Sequence, residues 1–133
     1  MRFLIVLFAS LAMTVAAGSA YSAGDAARGK KQFSRCKACH AVEAGKNKIG
    51  PSLHAIVGRK AASAAKYKYS NSLKAAGEKG LVWNEAMLME YLEGPTKFLK
   101  KYLGSKKVSN KMKNKFKKKS LRENIIAYLA TVK

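Results

Sequence analysis

Cys36-Lys37-Ala38-Cys39-His40 holds the only two cysteines of a 133-residue chain, and its reading decides how the rest must fold. Two thiols three residues apart lie on one turn of backbone, and the histidine that follows is carried to the same side. A C-x-x-C directly followed by His is the attachment signature of c-type haem. The thiols reach the two vinyl groups on one side of a porphyrin, and His40 then lies beneath the iron as its proximal ligand. Other uses of the pair fit less well. A thioredoxin-like redox pair expects a β-α-β setting, and no sustained alternating β-branched run occurs in this chain. A zinc site wants four ligands, and beyond the two thiols only His40 and His54 are available. A plain disulfide would leave a thin core and no use for His40.

Working outward, the N-terminus supplies the compartment this chemistry needs. Arg2, an apolar stretch from Phe3 to Ala17 and the small residues Gly18, Ser19 and Ala20 read as a secretory signal peptide. We place it at residues 1–22, cut between residues 20 and 23, ahead of one domain at 23–133. The apolar stretch is interrupted by Ser10 and Thr14 and is short for a membrane span. The mature protein is therefore expected in the periplasm, where haem is attached, without stable membrane insertion and as a monomer.

Composition narrows the class further. Apolar residues are 48% and charged residues 26%, which excludes collagen, low-complexity disorder and, at this length, a multi-domain enzyme. Lys and Arg number 27 against 7 acids, a formal charge of +20, and loss of Arg2 with the signal leaves +19. Eleven lysines crowd into residues 97–119. Such a field steers acidic protein surfaces, anionic lipid or nucleic acid toward it. Nucleic acid is disfavoured, because aromatic residues do not interleave as stacking platforms and exported proteins rarely meet it.

The remaining pattern predicts an all-α domain. Asp25 is placed to cap a helix running to about Cys36, with Gly29 and Phe33 on one face. Residues 41–69 carry glycines and Pro51 without periodicity and read as loop. Short helices are expected from Ser70 to Ala76, closed by Gly77, then from Asn84 to Glu93, and from Pro95 to Gly104. Ser120-Leu121-Arg122-Glu123 reads as a capping box opening a last helix whose stripe is Leu121, Ile125, Tyr128, Leu129 and Val132.

These landmarks, taken in order, resemble one family. Gly29-x-x-x-Phe33, the C-x-x-C-H string, Gly50-Pro51-x-Leu53, Gly58-Arg59, Tyr67-x-Tyr69-Ser70, Trp83, Met89-Glu90-Tyr91-Leu92, Pro95-Thr96-Lys97-Phe98-Leu99, Lys111-Met112 and Ile126-Ala127-Tyr128-Leu129 are similar to the soluble class I cytochromes c, above all the longer bacterial cytochromes c₂. The resemblance implies a small all-α fold wrapped around one covalent haem c. By it, His40 and Met112 are the axial ligands, and the Pro51 carbonyl accepts the His40 ring N–H. It also implies that Arg59, Tyr69 and Trp83 hydrogen-bond a buried haem propionate, that Tyr91 lies near Met112, that His54 binds nothing, and that Gly29 and Phe33 pack on Ile125 and Tyr128. This sequence departs from the pattern at Asn110, where a Thr is common, and at Phe116, four residues after Met112 rather than two.

A thioether opposite imidazole favours ferrous iron, and two filled axial positions leave no open site for substrate chemistry. The expected function is thus electron transfer, not catalysis; the resemblance implies a bc₁-type complex as donor and a terminal oxidase or photosynthetic reaction centre as acceptor. Lys37, Lys46, Lys48, Lys100, Lys101 and Lys111 are candidates for a ring that steers the carrier to acidic docking surfaces.

Overall fold

The computed structural model describes residues 24–133, so the segment read as a signal peptide lies outside the described residues. Five α-helices follow one another among the described residues: α1 Ala26–Gln32, α2 Asn71–Glu78, α3 Glu85–Glu93, α4 Pro95–Leu103 and α5 Lys119–Ala130. There is no strand among them, only an isolated antiparallel bridge between Lys60 and Val82. The all-α expectation holds.

Local chemistry starts and stops most of these helices. The Asp25 side chain accepts the Arg28 N–H at 2.9 Å, and Ser70 and Asn84 cap α2 and α3 in the same way through the N–H groups of Leu73 and Met87. Pro95 stands in the first turn of α4, where its missing N–H costs nothing, and Gly104 ends that helix with φ +62°. Past Gln32 the chain tightens into a 3₁₀ turn, Phe33–Arg35, which delivers Cys36 to the domain's interior edge.

Two sequence expectations are corrected. Gly77 does not close α2: the helix runs through it to Glu78, and the glycine is required because a Cβ there would lie 2.4 Å from the Ala61 carbonyl oxygen. The Ser120–Glu123 capping box does not form. The helix begins at Lys119 with Lys118 at the cap position, so Ser120 lies inside the first turn, and Glu123 instead pairs with Lys119 at 3.6 Å.

The frame is the crossing of α1 over α5. Gly29 brings the two backbones so close that a Cβ there would sit 1.8 Å from the Asn124 carbonyl oxygen. Asn124 ties both ends of α1, accepting the Asp25 N–H at 2.8 Å and donating to Gln32 Oε1 at 3.1 Å. Phe33 stacks obliquely on Tyr128, ring centres 5.4 Å apart, and Ile125, Ile126 and Leu129 of α5 are buried beneath. α3 packs against α5, and α4 packs in turn against α3 and α2, with Leu92, Phe98 and Leu99 buried and an aromatic cluster of Trp83, Tyr91 and Phe98 between them.

Gly29→Ala should force the helices apart and cost about 1–3 kcal/mol, as overpacking does; a denaturation curve within about 0.5 kcal/mol of the parent, the range of neutral surface changes, would contradict this packing.

Candidate functional site

One deep cleft opens into the domain, about 1230 Å³ of space free of protein atoms with its mouth included. Five stretches line it: residues 35–59, carrying Cys36, Cys39 and His40; residues 67–73; residues 83–92, with Leu88, Tyr91 and Leu92 of α3; the segment 110–116, carrying Met112 and Phe116; and α5, with Ile125 and Leu129. Several of these residues are buried and yet bound the cleft, so the cleft is a part of the core that the chain leaves unfilled.

The pentapeptide is coiled into tight turns. The N–H groups of Cys39 and His40 both donate to the Cys36 carbonyl, at 3.1 and 2.8 Å, which brings both thiols and the imidazole to the cleft. Burial, reinforced by Cys39 and opposed by Arg35, pushes the Cys36 thiol up to about 11. His40 Nδ1 lies 2.8 Å from the Pro51 carbonyl oxygen. A carbonyl only accepts, so Nδ1 carries the proton and the neutral ring keeps its lone pair on Nε2. Burial lowers the pKa of His40 further than the Pro51 bond raises it, and the Lys48 charge adds to the lowering, so the neutral ring is favoured. Gly50 makes room: a Cβ there would come within 2.3 Å of the His40 ring.

The segment 105–118 has no regular structure and is held by side chains. Ser109 and Ser72 bond reciprocally, each N–H donating to the other's hydroxyl oxygen, at 2.8 and 3.2 Å. Asn110 Nδ2 donates to the Met112 carbonyl at 2.6 Å and to Thr96 Oγ1 at 3.3 Å, while its Oδ1 accepts the Met112 N–H at 3.2 Å. Lys111 Nζ donates to the Lys68 carbonyl and lies 5.4 Å above the Tyr67 ring. Downstream, the Phe116 N–H donates to the Leu92 carbonyl at 2.8 Å. Phe116 is buried and lines the cleft, so its wider spacing from Met112 still brings it inward.

Arg59, Tyr69 and Trp83 line the same cleft, as does Tyr91, whose ring centre is 4.8 Å from that of Trp83. Arg59 donates to the His54 and Ser52 carbonyls at 2.7 and 2.9 Å, yet its Nε is buried with no partner among the described residues. Burial lowers the Arg59 pKa, opposed by the Tyr69 phenol nearby, and burial pushes the Tyr91 phenol far up so that it stays protonated. His54 is no free surface group: its Nδ1 lies 3.2 Å from the Val42 carbonyl, inside this loop network. Of the lysines proposed for a ring, Lys111 borders the cleft, whereas Lys101 is paired with Glu90 at 3.0 Å and Lys46 with Glu43 at 3.6 Å.

Sequence reasoning missed Arg122. It is 7% exposed, and its Nη1 donates at 2.7 Å to both the Phe116 and Lys117 carbonyls, tying the end of the lysine-rich segment to α5. An arginine in a basic helix reads as a solvated charge, and nothing in its neighbours marks it as buried.

The donor set fits a porphyrin. Two thiols and an imidazole with a free Nε2 border an apolar cleft, a thioether lines it from a different segment, and a buried guanidinium N–H lacks an acceptor that a carboxylate would supply. This fold and site define a class I c-type cytochrome. The chain belongs to the cytochrome c family, whose model matches residues 26–133. It is 40% identical to cytochrome c₂ of Cereibacter sphaeroides over 99% of this chain and 97% of that one, and 44% identical to cytochrome c₂ of Rhodopseudomonas palustris over 82% and 99%. The solved ferricytochrome c₂ of Rhodopseudomonas palustris superimposes with a TM-score of 0.76 at 40% identity, covering 82% of this chain and 99% of its own. The chain is thus of the c₂ type, an electron carrier with one covalently attached haem c, and not an enzyme.

Gly50→Ala should push the His40 ring off the Pro51 carbonyl. In the proton spectrum of the holoprotein the His40 Nδ1–H resonance is expected to shift or vanish through faster exchange with water; an unchanged resonance would contradict the packing at Gly50.

Proposed function

We propose that this protein is a periplasmic shuttle carrying single electrons from a bc₁-type complex to a terminal oxidase or a photosynthetic reaction centre. Residues 1–22 serve as a signal peptide and residues 23–133 as the carrier domain. Among the described residues no helix is long and apolar enough to cross a membrane. Cys36 and Cys39 would hold the haem through thioethers, and His40 and Met112 would ligate its iron.

The observation that carries the reading is the 2.8 Å contact of His40 Nδ1 with the Pro51 carbonyl, in a cleft that Met112 lines from a separate segment. Pro51 fixes the ring's tautomer and orientation and raises its basicity, as partners of ligating histidines do. Asn110 and Lys111 restrain the backbone on which Met112 is borne. Arg59 offers its unpartnered Nε, and Tyr69, whose oxygen accepts the Ala64 N–H at 2.9 Å, keeps its own proton to donate; both suit a propionate. Trp83, Tyr91 and Phe116 exclude water from the cleft. When bound, haem supplies a one-electron ferric/ferrous couple. A scaffold of buried, mutually bonded groups changes little between the two charge states.

Exposed lysines account for partner choice. Lys106, Lys107, Lys113, Lys115 and Lys117 are all exposed and make no ion pair with a described residue, so their field reaches solvent unneutralised. Acidic surfaces are drawn in quickly and released easily, with binding that weakens as salt screens it.

Absorption spectroscopy of the exported protein should show low-spin iron in both oxidation states and, in the ferric state, the red sulfur-to-iron charge-transfer band, which Met112→Ala abolishes; high-spin ferric iron without the band would contradict the ligand assignment. Reversal of Lys113, Lys115 and Lys117 to Glu should slow electron transfer to an acidic oxidase and flatten its salt dependence without moving the potential. An unchanged salt dependence would remove these lysines from the docking face.

A further inference from the structure

The geometry points to Asn110 as the positioning residue that keeps the Met112 thioether on the iron, a statement that rests on the reading of Met112 as the second axial ligand. Met112 is half-buried in a run of exposed polar residues, Lys111, Lys113, Asn114 and Lys115. Lys113, Asn114 and Lys115 make no hydrogen bond to any described residue, so downstream of Met112 the first fixed point is the Phe116 N–H on the Leu92 carbonyl. An irregular backbone free over such a stretch would lose much of its conformational freedom on holding one side chain inward. The restraint therefore has to come from upstream.

Asn110 supplies it with both ends of one carboxamide. Its Oδ1 accepts the Met112 N–H at 3.2 Å, and its Nδ2 donates to the Met112 carbonyl at 2.6 Å, so the main chain on both sides of the Met112 Cα is held by a single group. The same Nδ2 reaches Thr96 Oγ1 at 3.3 Å, in the first turn of α4, which moors the clamp to a helix rather than to loop. A mere Asx turn would need the Oδ1 contact alone. Thr, Ser or Asp at this position could accept from the Met112 N–H but could not also give an amide N–H to its carbonyl. The neighbouring side chains bond other residues: Ser109 bonds Ser72, and Lys111 bonds Lys68, and neither makes a hydrogen bond to Met112.

The test is displacement of the thioether by imidazole in the ferric holoprotein, followed by loss of the sulfur-to-iron band. Asn110→Ala removes all three hydrogen bonds of the carboxamide and should raise the apparent imidazole association constant about tenfold, the effect of losing the two that hold Met112. Asn110→Asp, which keeps the acceptor alone, should fall between this variant and the parent. Ser109→Ala removes the Ser109 hydroxyl from the clamp with Ser72, in the same segment and without a hydrogen bond to Met112, and should stay within about twofold of the parent, the range of weakly coupled changes. An Asn110→Ala value equal to that of Ser109→Ala, with the parent showing the band and Met112→Ala lacking it, would overturn the positioning role and leave the ligand assignment standing. A parent without the band, or with a band that survives Met112→Ala, would overturn the ligand assignment and this role with it.

Discussion

Leu88, Tyr91, Leu92, Phe116, Ile125 and Leu129 are all buried, yet all of them also border the cleft. All but Phe116 stand on short helices, none longer than twelve residues, which cannot close the core by packing alone. Everything else in the domain answers to that open interior. The α1–α5 crossing at Gly29 and the aromatic cluster of Trp83, Tyr91 and Phe98 form one half of a core, and the apolar body of a haem is the other half. With the proposed attachment at Cys36 and Cys39, the haem is a structural member of the fold as well as its redox centre.

The two sides of the site are built on different principles. Around His40 the backbone is compact: turns at Cys36 to His40, the Pro51 carbonyl at 2.8 Å and the space left by Gly50 hold the imidazole with main-chain groups. Around Met112 the chain is extended, basic and irregular, and order comes from side chains reaching across: Asn110 to Thr96, Ser109 to Ser72, Lys111 to Lys68 and Arg122 to the carbonyls of Phe116 and Lys117. Lysines repel one another, and a segment dense in them resists close packing. Pinning it through backbone carbonyls lets the charges stay exposed for partners while the one thioether is turned inward.

What could be read from the sequence follows the range of the forces involved. Cys36-x-x-Cys39-His40 carries its chemistry in adjacent residues, and the caps at Asp25, Ser70 and Asn84, Pro95 at a helix start and Gly104 at its end are equally local. The features misread or missed depend on what lies across the fold. Gly77 looks like a helix stop because the nearness of the Ala61 carbonyl is invisible in the chain. Ser120 looks like a cap because nothing local shows that Arg122 fixes the Phe116–Lys117 backbone and starts the helix at Lys119. Asn110 reads only as a departure from a family pattern until Thr96 is seen beside it. The placement of Met112, Arg59 and Trp83 at one cleft was legible through resemblance alone, since their spacing in the chain carries no local geometry.

The central claim is that the haem held at Cys36, Cys39 and His40 completes the core. Far-ultraviolet circular dichroism and amide hydrogen exchange of the protein with Cys36→Ala and Cys39→Ala together test it most directly. The account predicts little helix and no protected amides in α3 and α5; a compact helical protein with those amides protected would contradict it.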